Sequence, residues 1–272
     1  MHTEWGSSTR DSENDPAIAQ FLDGLKGARI GVPRVGYYQN MSLEQVKVMA
    51  DVINVLNREG AVVVDPADIP SMVADDPGRN ISRWEICGGA TDAKGSDANC
   101  SVVLKYGMKR DFNKWLASLG PSAPVKTLTE LRQWNLKHEK AGAIKYGQSR
   151  LDISDEMDLE ADRARYEADR AKDLDLAATH GIDQVMKEQH LDALLFPGAT
   201  GAALAAKPGY PSIAVPFGMV PNAPLFPFPD GFDAKPAPFG VTFTGMGCSE
   251  PRLIEIGYAF EQATKRRIPP FN

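Results

Sequence analysis

Three apolar runs in the last third of the chain limit its possible folds more than any other feature. The first is Leu191-Asp192-Ala193-Leu194-Leu195-Phe196-Pro197. The second is Gly209-Tyr210-Pro211-Ser212-Ile213-Ala214-Val215-Pro216-Phe217-Gly218, and the third is Phe239-Gly240-Val241-Thr242-Phe243-Thr244-Gly245. Each has strand length and is bounded by Gly or Pro, the pattern of strands buried on both faces. A helix-like run from Glu250 to Arg267 follows and is expected to cover them. A small-residue loop, Gly198-Ala199-Thr200-Gly201-Ala202-Ala203, leads out of the first run. Six prolines between Pro221 and Pro238, interleaved with Phe226, Phe228 and Phe232, separate the second run from the third. Proline fixes φ, so this loop is stiff. It reads either as a lid over a pocket or as a packed surface insertion.

A second strand-forming region lies near the start. Leu25-Lys26-Gly27-Ala28-Arg29-Ile30-Gly31-Val32-Pro33 contains a short strand closed by proline. Ser42 suits an N-cap, with Glu44 and Gln45 in the first turn. Leu43, Val46, Met49, Val52, Ile53 and Leu56 share one helical face, and Glu59-Gly60 ends the helix. Ala61-Val62-Val63-Val64 is the next strand, so the segment predicts a β-α-β unit with a parallel pair. Gly31 and Gly36 frame the loop after the first strand. They belong to no Gly-x-Gly-x-x-Gly or Gly-Lys-Ser/Thr pattern, so the loop reads as a plain turn and not a phosphate cradle.

The middle of the chain is helical in pattern. Residues 104–119 are amphipathic and are stopped by Pro121 and Pro124. Thr127 and Glu130 have capping-box spacing ahead of Leu128, Leu131, Trp134 and Leu136. From Ser154 to about His190 the charges alternate in sign, which predicts one long helix with a solvated, ion-paired face.

Composition bounds the function. At 272 residues the chain can bury a sizeable core. Its net charge of −6 disfavours nucleic acid. No apolar run reaches membrane-spanning length, and the first residues lack a signal-peptide apolar core. Cys87, Cys100 and Cys248 are odd in number and widely spaced, so no disulfide framework is expected. A reducing, cytoplasmic setting fits that reading. His2, His138, His180 and His190 form no metal-ligand spacing, so no metal and no cofactor is expected. No Gly-x-Ser-x-Gly elbow occurs. Cys248 precedes the last helix, where a thiol would be acidified. However, Ser249 and Pro251 give that turn a simpler role as the helix cap.

The same runs, Leu191–Pro197, Gly209–Ile213 with Val215-Pro216, and Pro238–Phe243, resemble the C-terminal part of the amidase signature family. So do Ser249-Glu250-Pro251-Arg252-Leu253-Ile254 and Tyr258-Ala259-Phe260-Glu261-Gln262-Ala263-Thr264. Weaker matches follow the same order earlier: Leu25–Val32, Thr127–Leu131 with Asn135, and Tyr146-Gly147-Gln148. The likeness runs over residues 25–270. It implies an amide hydrolase scaffold working through a Ser–cis-Ser–Lys triad and a backbone oxyanion hole. The Gly/Ser-rich segment that carries this triad has no counterpart here. Gly6-Ser7-Ser8 is the only Gly-Ser-Ser run and lacks the flanking glycines, so no catalytic residue is assigned.

The expectation is therefore an α/β fold: a mixed β-sheet flanked by helices, with a polar leader at 1–24 and a single domain at 25–272. Family pockets use the loop after the strand ending at Pro197, which makes Gly198, Ala199 and Thr200, with Tyr210, the candidate substrate-binding residues. Small residues there are equally consistent with tight packing. A half-scaffold leaves sheet surface open, which predicts a homodimer or a partner chain, and the pocket admits a small-molecule ligand. No nucleic acid and no membrane are expected as partners.

Overall fold

The computed structural model describes residues 21–89, 97–223 and 228–267. Most of the expected leader, Ser7 and Ser8, and the centre of the proline-rich loop lie outside the described residues. The elements in order are β1 (Arg29–Gly31), α1 (Leu43–Arg58), β2 (Val62–Val64), α2 (Val103–Ser118), α3 (Leu128–Lys137), α4 (Ser149–Asp155) and α5 (Arg163–Leu174). They continue with α6 (Asp183–Glu188), β3 (Ala193–Pro197), α7 (Ala202–Ala206), β4 (Ser212–Val220), β5 (Ala237–Thr244) and α8 (Glu250–Thr264). The single domain expected over 25–272 has a finer grain, because the chain forms two compact units. Unit 1 comprises Met1–Val73 with Ala177–Asn272, and unit 2 is Ala74–Leu176.

Unit 1 holds one five-stranded mixed sheet in the order β2-β1-β3-β5-β4. The expected parallel pair is present, with Ile30 opposite Val63, and β1 also runs parallel to β3, with Ile30 opposite Ala193. β5 pairs antiparallel with β3 on one side and with β4 on the other. The first helix starts as its sequence dictates. Ser42 Oγ accepts from Gln45 N at 3.2 Å and Gln45 Oε1 accepts from Ser42 N at 2.9 Å, a complete capping box. Gly60 then turns the chain at φ 86°, a conformation that favours glycine.

Strand alternation divides the sheet into two faces. Ala193, Leu195, Val215, Phe217, Val241 and Phe243 share one core cluster with Met49, Val52, Val55 and Leu56 of α1 and Leu253, Ile256, Ala259 and Phe260 of α8. Phe260 lies at the centre, stacked on Phe217 at 5.7 Å and edge-on to Phe243 at 5.5 Å. β3 is buried at all five positions, as its apolar run predicts. β4 is not. Its Ser212, Ala214 and Pro216 are exposed, because β4 is the outer strand and nothing among the described residues covers that face of it. Pro216 and an adjacent register shift sit on this edge, the one place in a sheet where a residue without an N–H is tolerated.

Unit 2 corrects four expectations. The long helix from Ser154 is broken: α4 ends at Asp155, residues 156–162 are irregular, and α5 begins at Arg163. Its face is not uniformly solvated either. Asp169 and Asp173 are buried. Asp173 accepts from Trp84 Nε1 at 2.9 Å and from Ser101 Oγ at 2.8 Å. Asp169 accepts from Val102 N at 3.0 Å and Arg165 Nε at 2.9 Å. Periodicity could not separate solvated acids from these, since their partners Trp84, Ser101 and Val102 lie 67 to 89 residues away. Thirdly, Cys87 and Cys100 form a disulfide, which removes the premise of the reducing setting. Cys248 alone is a free thiol. The capping box at Thr127 is split. Thr127 Oγ1 accepts from Glu130 N at 3.1 Å, but Glu130 Oε2 accepts from Lys126 N instead of the cap's own N–H.

Candidate functional site

In an open sheet with parallel strands, ligands bind beyond the C-terminal strand ends where neighbouring connections leave in opposite directions. Unit 1 has such a point between β1 and β3. From β1 the chain runs through α1, on the face of Leu195 and Phe243, to β2. From β3 it turns at Gly198–Gly201 toward the opposite face, where Gly201 lies against the Phe196 ring. Residues 32–41 and 198–201 therefore leave neighbouring parallel strands at the same end of the sheet, where Tyr37 meets Phe196.

The turn after β3 contains three of the four candidate residues. Gly198 adopts φ 55°, donates its N–H to Gly240 O at 2.9 Å and accepts from Thr242 Oγ1 at 2.6 Å. A Cβ at this position would meet only Phe239, at 3.6 Å, so the backbone conformation, and not space, requires glycine. Ala199 and Thr200 are exposed. Thr200 Oγ1 donates back to Pro197 O at 2.8 Å, so its proton serves the turn.

Tyr210 is held elsewhere. Its hydroxyl donates to Asp183 Oδ1 at 2.7 Å, and its ring lies beside Gly247. Burial, with the Asp183 hydrogen bond and charge, pushes the phenol up to about 12. It is a fixed hydrogen-bond donor that ties the start of α6 to the turn before α8.

The loop after β1 supplies groups that the sequence reading treats as a plain turn. Asp68 Oδ1 accepts from Arg34 N at 2.6 Å and Val35 N at 2.8 Å, so those amides are occupied and form no phosphate cradle. The Arg34 guanidinium is paired with Asp65 and lies 4.2 Å from the centre of the Tyr38 ring. Tyr37 meets Phe196 edge-on at 4.8 Å, and burial raises its pKa. The Tyr38 hydroxyl is buried without a hydrogen-bond partner among the described residues, and burial raises it to about 12. The available signal was position: two tyrosines just past a strand end. It becomes meaningful only once β1 and β3 are known to be neighbours.

Two further features remain. A cavity of ≈ 470 Å³ at the base of the proline-rich loop is lined by Met219, Val220, Pro221, Asn222, Ala234 and Pro236. In the turn before α8, Cys248 is exposed at φ 65°. The Ser249 hydroxyl donates to Met246 O at 2.7 Å and does not cap the helix, contrary to expectation, because it closes its own turn.

Comparison with known proteins bears on this arrangement. No family model matches the chain. A protein named as a probable amidase in Arabidopsis thaliana is 29% identical over 254 residues, covering 92% of this chain and 41% of the relative. The solved peptide amidase from Stenotrophomonas maltophilia is 29% identical, with a TM-score of 0.66 over 93% of this chain and 46% of its own. An amidase family protein from Bacillus anthracis gives 25% identity and a TM-score of 0.65 over 92% of this chain and 41% of its own. The chain is similar in sequence and in fold to these amidases. It spans less than half the length of these amidases. The mixed sheet with flanking helices, expected from the strand runs, is the fold that it shares with them.

Proposed function

We propose that these 272 residues form a half of an amide-hydrolase scaffold that shapes a ligand crevice and completes the sheet, but that they do not supply the reacting groups. On this reading the chain, alone, does not hydrolyse amides. The observation that carries it is where the serine hydroxyls go. Ser101 donates to Asp173, Ser154 to Arg150 O, Ser249 to Met246 O and Ser118 to Trp115 O, while Ser212 pairs with Thr244. Among the described residues no serine is bonded to a second serine with a lysine behind it. A nucleophilic hydroxyl needs such a relay, and loss of a triad nucleophile removes about a million-fold in kcat in a serine protease. Gly198, Ala199 and Thr200 would border the ligand, with Tyr210 as a support for the neighbouring turn.

A purified chain assayed on a broad panel of aryl and alkyl amides should show no turnover above buffer. Turnover that is abolished by Ser7→Ala, Ser8→Ala or Cys248→Ala would refute this reading.

The open outer strand favours a partner for this scaffold. Ser212, Ala214, Pro216 and Met219 are exposed along β4, which fits a second copy or a complementary chain laid on this surface. Light scattering should find a dimer or a hetero-complex at micromolar concentration, and a monodisperse monomer would count against it. Ligand screening by thermal shift tests whether the chain also binds a small molecule.

A further inference from the structure

The disulfide in unit 2 closes around a buried charge. Cys87 and Cys100 are 2% and 8% exposed and are separated by 13 residues. They pack with Val102, Tyr106 and Met157. The closed segment carries Asp97, and one Asp97 carboxylate oxygen and the two sulfurs lie within 4.8 Å of one another. Asp97 Oδ1 is 2.8 Å from Nζ of Lys105, which is itself 2% exposed. Glu156 pairs with the same ammonium. Burial opposes the charge on Lys105, but the hydrogen bonds and charges of the two carboxylates outweigh it and its pKa is raised. Arg165 Nη2 donates to the carbonyls of Asp97 at 2.7 Å and Cys100 at 3.0 Å, so the end of the closed segment is held from two sides. The same three ligand atoms could be read as a metal site. The ammonium on Asp97 and the bond between the sulfurs argue against a cation there.

We propose that the Cys87–Cys100 bond is a maturation lock: it presents Asp97 to the buried Lys105 ammonium, so that unit 2 attains its full stability only where disulfides form. Loss of Asp97 would leave the buried Lys105 ammonium with Glu156 as its remaining carboxylate, a partial loss of neutralisation that solvent at the 37% exposed Asp97 moderates. The lock therefore couples two terms, closure of a loop and neutralisation of a charge. Formation joins the two sulfurs and releases two protons and two electrons to a protein or small-molecule disulfide by thiol exchange. Opening returns them from a dithiol. Because both sulfurs are buried, reduction has to wait for a local opening around Cys87 and Cys100. The setting implied is an oxidising compartment, and not the reducing one expected from the cysteine count.

The test uses the full chain produced under oxidising conditions. Thiol titration in denaturant should find one reactive cysteine before reduction and three after it; three before reduction overturns the proposal. Dithiothreitol, or the double change Cys87→Ser with Cys100→Ser, should lower the thermal midpoint by about 6–12 °C for a loop of this length. An unchanged midpoint overturns it. The deciding arm is Asp97→Asn. The carboxylate is partly exposed, so this variant should fold. If the disulfide acts through Asp97, reduction should cost the Asp97→Asn protein distinctly fewer degrees than the parent. An equal loss in both backgrounds leaves only a loop staple and overturns the coupling to Lys105.

Discussion

Gly201→Ala should damage the turn after β3, and its cost can be worked from the structure. Gly201 has an ordinary φ of −77°, so alanine brings no backbone strain there. All of the cost comes from contact. An added Cβ would lie 2.5 Å from Cδ2 and Cγ of Phe196 and 2.8 Å from its Cδ1. Non-bonded carbons are comfortable at about 3.5–4.0 Å, so the ring has to retreat by about 1 Å. Phe196 is completely buried and meets Tyr37 edge-on at 4.8 Å, so it cannot retreat cheaply. Overpacking of this kind costs about 1–3 kcal/mol. For a chain of this size that is about 2–12 °C in thermal midpoint.

Urea unfolding followed by circular dichroism measures the loss. Two companion variants test its origin. Gly198→Ala should cost about 1–2 kcal/mol from its left-handed backbone alone, and shrinking Phe196 should not rescue it. Phe196→Leu combined with Gly201→Ala should be less destabilised than the sum of the single changes, because the smaller side chain gives the methyl room. A Gly201→Ala protein within about 0.5 kcal/mol of the parent, or strict additivity in the double variant, would refute the argument.

Other outcomes follow from individual contacts. Asp173→Leu should cost on the order of 3 kcal/mol, because it strands two buried donors, Trp84 Nε1 and Ser101 Oγ. Asp173→Asn should recover much of that loss, and urea unfolding followed by tryptophan fluorescence would show both. Tyr210→Phe removes the bond to Asp183 and should lower stability by about 1 kcal/mol in urea unfolding. For pH, Asp155 is the informative group. Burial alone would raise its pKa, but the Thr129 and Arg132 hydrogen bonds with the Lys109 and Arg132 charges hold it below the ordinary value. A depressed folded pKa means that the stabilisation is complete above the unfolded value, about 3.9, and is lost as pH falls through the folded one. Stability measured from pH 6 down to pH 2.5 should therefore drop at the acid end, and Asp155→Asn should flatten that drop.

How much of this was legible in the sequence depends on how far apart the interacting residues lie. The first helix, its Ser42 cap and its Gly60 exit involve neighbours within one turn and were readable directly. So were β3, whose five residues are uniformly apolar, and the parallel pairing of β1 with β2 across one helix. The broken helix after Ser154 was not, because its buried acids look like surface acids until Trp84, Ser101 and Val102 arrive from far up the chain. The candidate site divides in the same way. The turn at Gly198–Thr200 could be placed because it follows an evident strand, but the nearness of Tyr37 to Phe196 at the end of that strand was hidden.

The sequence by itself determined the apolar run of β3 and the capped first helix, since each is written in local spacing and residue type. Only the tertiary structure decided that β1 and β3 lie side by side, that β4 is the open edge, and that Cys87 meets Cys100 over a buried lysine. The physical reason is that burial and pairing are properties of surfaces that come together across more than a hundred residues, as β1 and β3 do. No local pattern encodes which surfaces those will be.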